Sequence, residues 1–251
     1  MMRNLRVAAS FLTRVPVHVE GVDDITAATP WFPMVGALVG AAGGVVFAVA
    51  AEVVPHGVAA ALALVATALI TGAFHHDGLA DIADAFGGGW TPEQRMAILK
   101  DSRHGTYGVV SLVLIGLVEW SALASLTQPW GIAALVAAHS LGRAAILAVL
   151  LLARPAPTPG MGADYSAGLS RPPIVAGLVA GAVVGGVALG VWSVVALVAV
   201  GVTSLAVVTL AHRKIGGFTG DVLGATALVG QAAVLVAASA AALRHVSPWW
   251  W

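Results

Sequence analysis

Cysteine is absent from this chain of 251 residues. Disulfides and thiolate metal ligands are thereby excluded, and the redox compartment cannot be read from cysteine usage. Charge is scarce as well, at 10% of residues against roughly 25% in an ordinary soluble domain. Apolar residues take its place: the chain is 59% hydrophobic, with a mean hydropathy of +0.93. So little charge cannot cover a surface in water, so lipid must solvate most of the molecule. The net charge of zero argues against nucleic acid as a partner, which would call for a basic patch. No cleavable signal peptide is expected, because the apolar run 7–12 is short and no small-residue cleavage site closes it. The few lysines and the richness in Ala, Val and Gly suggest a bacterial inner-membrane protein.

A spanning helix needs about 20 mostly apolar residues. Seven stretches qualify or come close: 31–53, 57–74, 108–127, 131–153, 173–190, 192–211 and 221–243. The expected fold is therefore all-α, a polytopic transmembrane helical bundle of about seven spans. Residues 1–251 would form one integral-membrane catalytic domain. The stretch 7–17 is too short to span, and its Arg14 and Pro16 suit an interfacial segment. With seven spans, Arg3, Arg6, Arg14, Arg95, Lys100, Arg103, Arg154, Arg171, Arg213 and Lys214 all fall on one side. Only Arg244 falls on the other, and Arg143 lies inside a span. Positive residues favour the cytoplasm, which predicts a cytoplasmic N-terminus and a periplasmic Pro-Trp-Trp-Trp end.

The most informative segment is His75-His76-Asp77-Gly78-Leu79-Ala80-Asp81-Ile82-Ala83-Asp84. Its aspartates stand at i, i+4 and i+7, within a narrow stripe of a helix. Like charges so spaced repel, and a divalent cation would relieve them, because carboxylate oxygens suit Mg²⁺, Ca²⁺ or Mn²⁺. An exposed acidic helix end without a ligand is the blander reading. Two further aspartates fall on the same predicted face. Asp101 sits in Lys100-Asp101-Ser102-Arg103-His104-Gly105-Thr106, and Asp221 in Gly216-Gly217-Phe218-Thr219-Gly220-Asp221. Thr219 and Asp221 could simply cap the last helix. Lys100, Arg103, Arg213 and Lys214 could neutralise phosphoryl oxygens or merely follow the positive-inside rule. Of His75 and His76, at most one can join the aspartates, since neighbours on a helix point different ways. Buried intramembrane charges are usually paired, so Glu119 and Arg143 are expected to face each other or the site, with His139 one turn before Arg143.

Five motifs in register carry a resemblance. They are Phe11-Leu12-Thr13-Arg14-Val15-Pro16-Val17; Trp31-Phe32-Pro33-Met34-Val35-Gly36; His76-Asp77-Gly78-Leu79-Ala80-Asp81 with Asp84; Lys100-Asp101-Ser102-Arg103 with Gly105-Thr106; and Gly216-Gly217 with Thr219-Gly220-Asp221 and Leu223-Gly224-Ala225. In this order and spacing the chain resembles the cobalamin synthases, the adenosylcobinamide-GDP ribazoletransferases of cobamide biosynthesis, from about residue 8 to about residue 235. Departures are Asp84-Ala85 in place of Asp-Gly, and Phe218 where a polar residue is common. The resemblance implies an integral membrane, Mg²⁺-dependent transferase. It would join adenosylcobinamide-GDP to α-ribazole or its 5′-phosphate and release GMP.

Exchange at a pyrophosphate needs a cation to neutralise the diphosphate, and an in-line nucleophile, in agreement with the residues present. Asp77, Asp81, Asp84 and Asp221 are the expected ligands of Mg²⁺, with Mn²⁺ as an alternative. Asp101 or a histidine, His76 foremost, would take the proton from the ribazole hydroxyl; the sequence does not choose between them. Arg14, Lys100, Arg103 and Lys214 would clamp phosphates, and Thr219 and Arg143 complete the expected substrate-binding set. The active site should face the cytoplasm, with membrane lipid as surroundings and homo-oligomerisation left open. Two other readings are weighed against this one. A CDP-alcohol phosphotransferase also carries aspartates on membrane helices, but its Asp-Gly is followed by Ala-Arg, not by the Leu79-Ala80-Asp81 found here. A cation transporter would place carboxylates at mid-membrane, where only Glu119 lies.

Overall fold

The computed structural model describes residues 2–17, 25–157, 168 and 170–244. These residues are helical almost throughout. Among them the only strand-like pairing is an isolated backbone bridge between Pro155 and Phe218. In chain order the helices are α1 (Met2–Leu12), α2 (Phe32–Ala51), α3 (His56–Thr71), α4 (Phe74–Gly88), α5 (Pro92–Ile98), α6 (Thr106–Ala124), α7 (Gln128–Leu152), α8 (Arg171–Leu189), α9 (Ser193–Ile215) and α10 (Gly220–Ala242), with a 3₁₀ turn at Thr26–Trp31 leading into α2. Each expected apolar stretch overlaps one helix, with boundaries shifted by up to a few residues. The Trp-rich end, expected in the periplasm, lies outside the described residues, as do residues 158–167 and 169.

Local chemistry sets many of the boundaries. Prolines stand in the first turns of α2, α5, α7 and α8, where their missing N–H has no helical partner to lose. Thr91 and Gln94 close a capping box at the start of α5. The interfacial segment is helical earlier than expected, over Met2–Leu12, and buries Val7, Ala8 and Leu12. It stops there because Pro16 disfavours helix at the residue before it. The Thr13 hydroxyl then donates to Ala9 O at 2.7 Å and accepts from Val15 N at 3.3 Å.

Five helical stretches are long and apolar enough to cross a bilayer, or six if the bent pair α3–α4 counts as one. One of the five is the 45-residue run Arg171–Ile215, which holds both α8 and α9. Straight, it would reach about 68 Å, more than twice a hydrocarbon core of about 30 Å. It breaks at Gly190, whose φ is 57°, and both its ends come back to one face. Gly177, near its start, meets the Pro30 carbonyl, and Lys214, near its end, reaches Phe86.

The helices α7 and α10 form the axis of the bundle, and most of their side chains are buried. On α6, α8 and α9, valines and leucines such as Val113, Leu117, Val183, Val198 and Val202 stay exposed, as lipid-facing positions should. Where helices touch, small residues let their backbones meet. A Cβ at Gly36 or Gly40 of α2 would collide with the His139 and Leu135 carbonyls of α7. The polar connections gather at one end: the segment after α1, the α3–α6 stretch, the start of the α7–α8 connection and the α9–α10 turn. Phe218, where a polar residue was expected, is buried to 1% exposure. Its backbone ties the α10 approach to the end of α7, through Phe218 N to Arg154 O at 3.0 Å and Ala156 N to Phe218 O at 2.9 Å.

Candidate functional site

The aspartate segment forms α4, and its placement depends on the two residues before it. Gly72 (φ 61°) and Ala73 (φ 55°) are consecutive left-handed residues, and they set α4 at 90° to α3. The helix therefore runs across the first turns of α6 and α10. A side chain at Gly72 would also strike the Arg14 side chain lying over it. Gly78 permits the other close approach, since a Cβ there would stand 2.8 Å from the Asp221 carbonyl oxygen. Thus α4 lies almost directly on the first turn of α10.

On this helix Asp77 and Asp81 meet His104, from the loop before α6. One ligand atom from each lies within 4.8 Å of the others. His104 Nε2 stands 3.7 Å from Asp77 Oδ1, and its Nδ1 stands 3.6 Å from Asp81 Oδ1. The group opens on a cleft of about 500 Å³ whose walls include Thr13, Arg14, Thr71 and His76. Burial, then the Asp77 and Asp221 carboxylates, raise the Asp81 carboxyl above its ordinary range, with His104 offsetting part of the shift. Two carboxylates and an imidazole converging in a partly desolvated spot are a donor set that a divalent cation would satisfy.

The other two expected ligands do not join this group. Asp84 is buried, and its carboxylate accepts Gly105 N at 2.6 Å and Gly108 N at 2.9 Å, so it caps the N-terminus of α6. That bond also fixes the backbone next to His104. Asp221 accepts the Thr219 hydroxyl at 3.3 Å, and Thr219 Oγ1 accepts Val222 N at 3.4 Å as the α10 cap. Its charge is nonetheless felt at Asp81.

The remaining expected residues divide clearly. Arg14 and His76 line the cleft, and His76 Nδ1 is buried there with no hydrogen-bond partner among the described residues. Asp101 is exposed and paired with Arg103 at 2.6 Å. The Arg103 hydrogen bond holds its carboxyl well below the usual carboxylate range, which makes it a poor proton acceptor. Lys100 is exposed. Lys214 donates to the Phe86 carbonyl at 3.3 Å, while its own carbonyl accepts Arg95 Nη1 at 2.9 Å. It therefore fastens α9 to α4 and α5.

Arg143 lies deep, away from the cleft, and its expected direct pairing with Glu119 is replaced by a bridge. Arg143 Nη1 donates to Gln231 Oε1 at 2.8 Å, and Gln231 Nε2 donates to Glu119 Oε1 at 2.8 Å. Gln231 of α10 separates the two charges because α10 stands between α6 and α7 in the bundle. The guanidinium also meets His139 Nδ1 at 3.0 Å and His75 Nδ1 at 3.4 Å. The sequence reading missed His104 and Gln231. His104 could have been found as the imidazole beside Asp101 and Arg103 in the polar loop that feeds α6.

Comparison with known proteins adds identity to this geometry. The family profile described as cobalamin-5-phosphate synthase matches residues 4–239. A protein of Bradyrhizobium diazoefficiens named adenosylcobinamide-GDP ribazoletransferase is 42% identical over 96% of this chain and 94% of its own length. Proteins of the same name from Mesorhizobium japonicum and Ralstonia nicotianae are 40% and 38% identical, covering 92% and 93% of this chain and 90% and 93% of their own lengths. No solved structure matches. These matches set aside the CDP-alcohol phosphotransferase and transporter readings. The chain belongs to the cobalamin-5-phosphate synthase family.

Proposed function

We propose that this enzyme is an adenosylcobinamide-GDP ribazoletransferase with a divalent cation, Mg²⁺ or Mn²⁺, held by Asp77, Asp81 and His104. The ribazole hydroxyl oxygen attacks the phosphorus on the cobinamide side of the diphosphate. The bond to the bridging oxygen breaks, and GMP leaves with that oxygen. The cation, when bound, neutralises charge on the diphosphate and on the leaving phosphate. The relatives' names support the substrates, and the observation that carries the site is the meeting of Asp77, Asp81 and His104, with Asp77 and His104 lining one cleft with Arg14.

The chain's own residues have distinct parts. Arg14 binds phosphoryl oxygens from the cleft wall. His76, whose Nδ1 has no hydrogen-bond partner among the described residues, takes the proton of the attacking hydroxyl. Asp84 positions His104 through the α6 N-terminus, and Asp221 adds negative charge beside Asp81. Lys100 and the exposed Arg103 can meet the substrate's outer portions.

The seven-span arrangement follows if α8 and α9 cross separately and α3 crosses alone. The site-bearing face is then cytoplasmic by the ten-to-one distribution of basic residues, in a bacterial inner membrane. The test is transfer of labelled α-ribazole onto adenosylcobinamide-GDP by purified protein in lipid nanodiscs. Chelation should stop product formation and added Mg²⁺ or Mn²⁺ restore it. Undiminished turnover in chelator would overturn the metal reading.

A further inference from the structure

A second cavity lies away from the cleft. It is a groove of about 980 Å³ between α7, α8 and α9, lined almost entirely by apolar side chains, among them Ala145, Ala148, Ala182 and Leu205. On α9 its lining runs from Leu197 to Arg213, about 24 Å of helix rise. A leaflet's hydrocarbon depth is about 15 Å, half of a core of about 30 Å. An apolar trench of that length, beside lipid-exposed valines of α8 and α9, suits extended acyl chains better than a compact metabolite.

Two further features say what kind of lipid fits. At the end that shares a face with the candidate site, the lining closes with Arg154 and Arg213. Both are exposed, and no carboxylate lines the groove among the described residues. The Arg154 backbone is held at the mouth, because its carbonyl accepts Phe218 N at 3.0 Å. Part-way along, Ser204 Oγ is buried with no hydrogen-bond partner among the described residues. The neighbouring Thr203 hydroxyl, by contrast, donates back to the Ala199 carbonyl at 2.9 Å. A buried unsatisfied hydroxyl is costly in lipid, and an occupant with acceptor oxygens would satisfy it.

We propose that this groove is a binding site for an anionic phospholipid, with acyl chains along α7–α9 and its phosphate between Arg154 and Arg213. Two cations with no anion among the described lining residues favour a headgroup of net negative charge over a zwitterionic one. The site is separate from the transfer chemistry.

Native mass spectrometry of the delipidated protein, offered equal phosphatidylglycerol and phosphatidylcholine with the same chains, tests the assignment. Wild type should keep one phosphatidylglycerol with a preference of roughly tenfold or more. The double variant Arg154→Gln/Arg213→Gln should keep a lipid but lose the preference. Gly201 lines the groove and a Cβ there meets nothing within 4 Å, so Gly201→Trp should occupy groove space and lose the lipid. Equal retention of both lipids by wild type would overturn the proposal. So would a Gly201→Trp protein that holds lipid as wild type does, or a lipid-free dimer with α8 and α9 buried between copies. If Gly201→Trp does not fold, an unaltered lipid preference in the arginine double variant overturns it alone.

Discussion

At the scale of single residues, repulsion and its relief govern the site. Asp77 and Asp81 stand one turn apart with His104 between their oxygens. Without a cation, that arrangement places like charges in a partly desolvated spot. Asp77→Asn or Asp81→Asn, each removing one charge at nearly constant size, should lower transfer by at least about 100-fold, the scale lost with one electrostatic contact to a transition state. The metal-free variants should melt slightly higher than wild type. Added Mg²⁺ should raise the wild-type melting temperature by mass action and move the variants far less. His104→Ala should behave like the aspartate variants in turnover, because the imidazole is a third member of the same set. Near-normal turnover of all three, with an unchanged Mg²⁺-dependent melting shift, would place the cation elsewhere.

Asp84 and Asp101 make a contrasting pair. Asp84→Asn replaces one of the two oxygens that accept Gly105 N and Gly108 N with an NH₂ donor, and should cost about 1–3 kcal/mol of stability, as for a buried hydrogen bond left unmade. Mg²⁺ affinity should suffer less than in Asp81→Asn, a difference that titration calorimetry would register. Asp101 is exposed and already paired with Arg103. Asp101→Asn should keep the pH–rate profile of wild type, whereas His76→Gln should lose its acid-side limb. A displaced acid limb in Asp101→Asn would return the proton acceptor to that carboxylate.

Among elements, the α3–α4 turn decides most. Ala73 is the only described non-glycine residue with positive φ, a conformation costing about 1–2 kcal/mol for an L-residue. Ala73→Gly should therefore stabilise the protein or leave it unchanged, read as a rise in melting temperature. Gly78→Val, with its Cβ against the Asp221 carbonyl, should push α4 off α10 and abolish transfer while the protein stays inserted. Helix propensity would favour valine over glycine at this position. Only the contact between α4 and α10 makes it harmful, so the outcome separates packing from propensity.

At the scale of the whole molecule, the bundle encloses polar groups that no single helix could keep. Glu119, Gln231 and Arg143 come from α6, α10 and α7 and form one chain of hydrogen bonds. Gln231→Ala leaves both charged ends short of a partner, so it should destabilise more than Glu119→Gln, by roughly 1–3 kcal/mol. In a thermal-melt cycle, Gln231→Ala and Glu119→Gln should couple, since members of one network do not add. Strict additivity would show that the bridge carries no energy. Orientation belongs to this scale too. A cysteine introduced at Glu93, in a chain with none of its own, should react with an impermeant reagent from the cytoplasmic side only.

Hydropathy alone determined that this protein lives in lipid and where its long helices run, because the cost of unpaired backbone in a membrane leaves helix as the available answer for runs of this length. The charge asymmetry determined which loops share a face, and the helical period placed Asp77 and Asp81 on one stripe. Spacing could not say which carboxylates stay free for a ligand. Asp84 has the right period, yet it is held by α6 amides supplied from some twenty residues downstream. His104 enters the group, and Gln231 comes between Glu119 and Arg143, for the same reason: both approach from segments distant in sequence. Whether such groups meet depends on a 90° turn at Gly72–Ala73 and on glycine contacts between helices, which are long-range steric facts. Local pattern encodes the helices and their faces; only the packed bundle decides which faces touch.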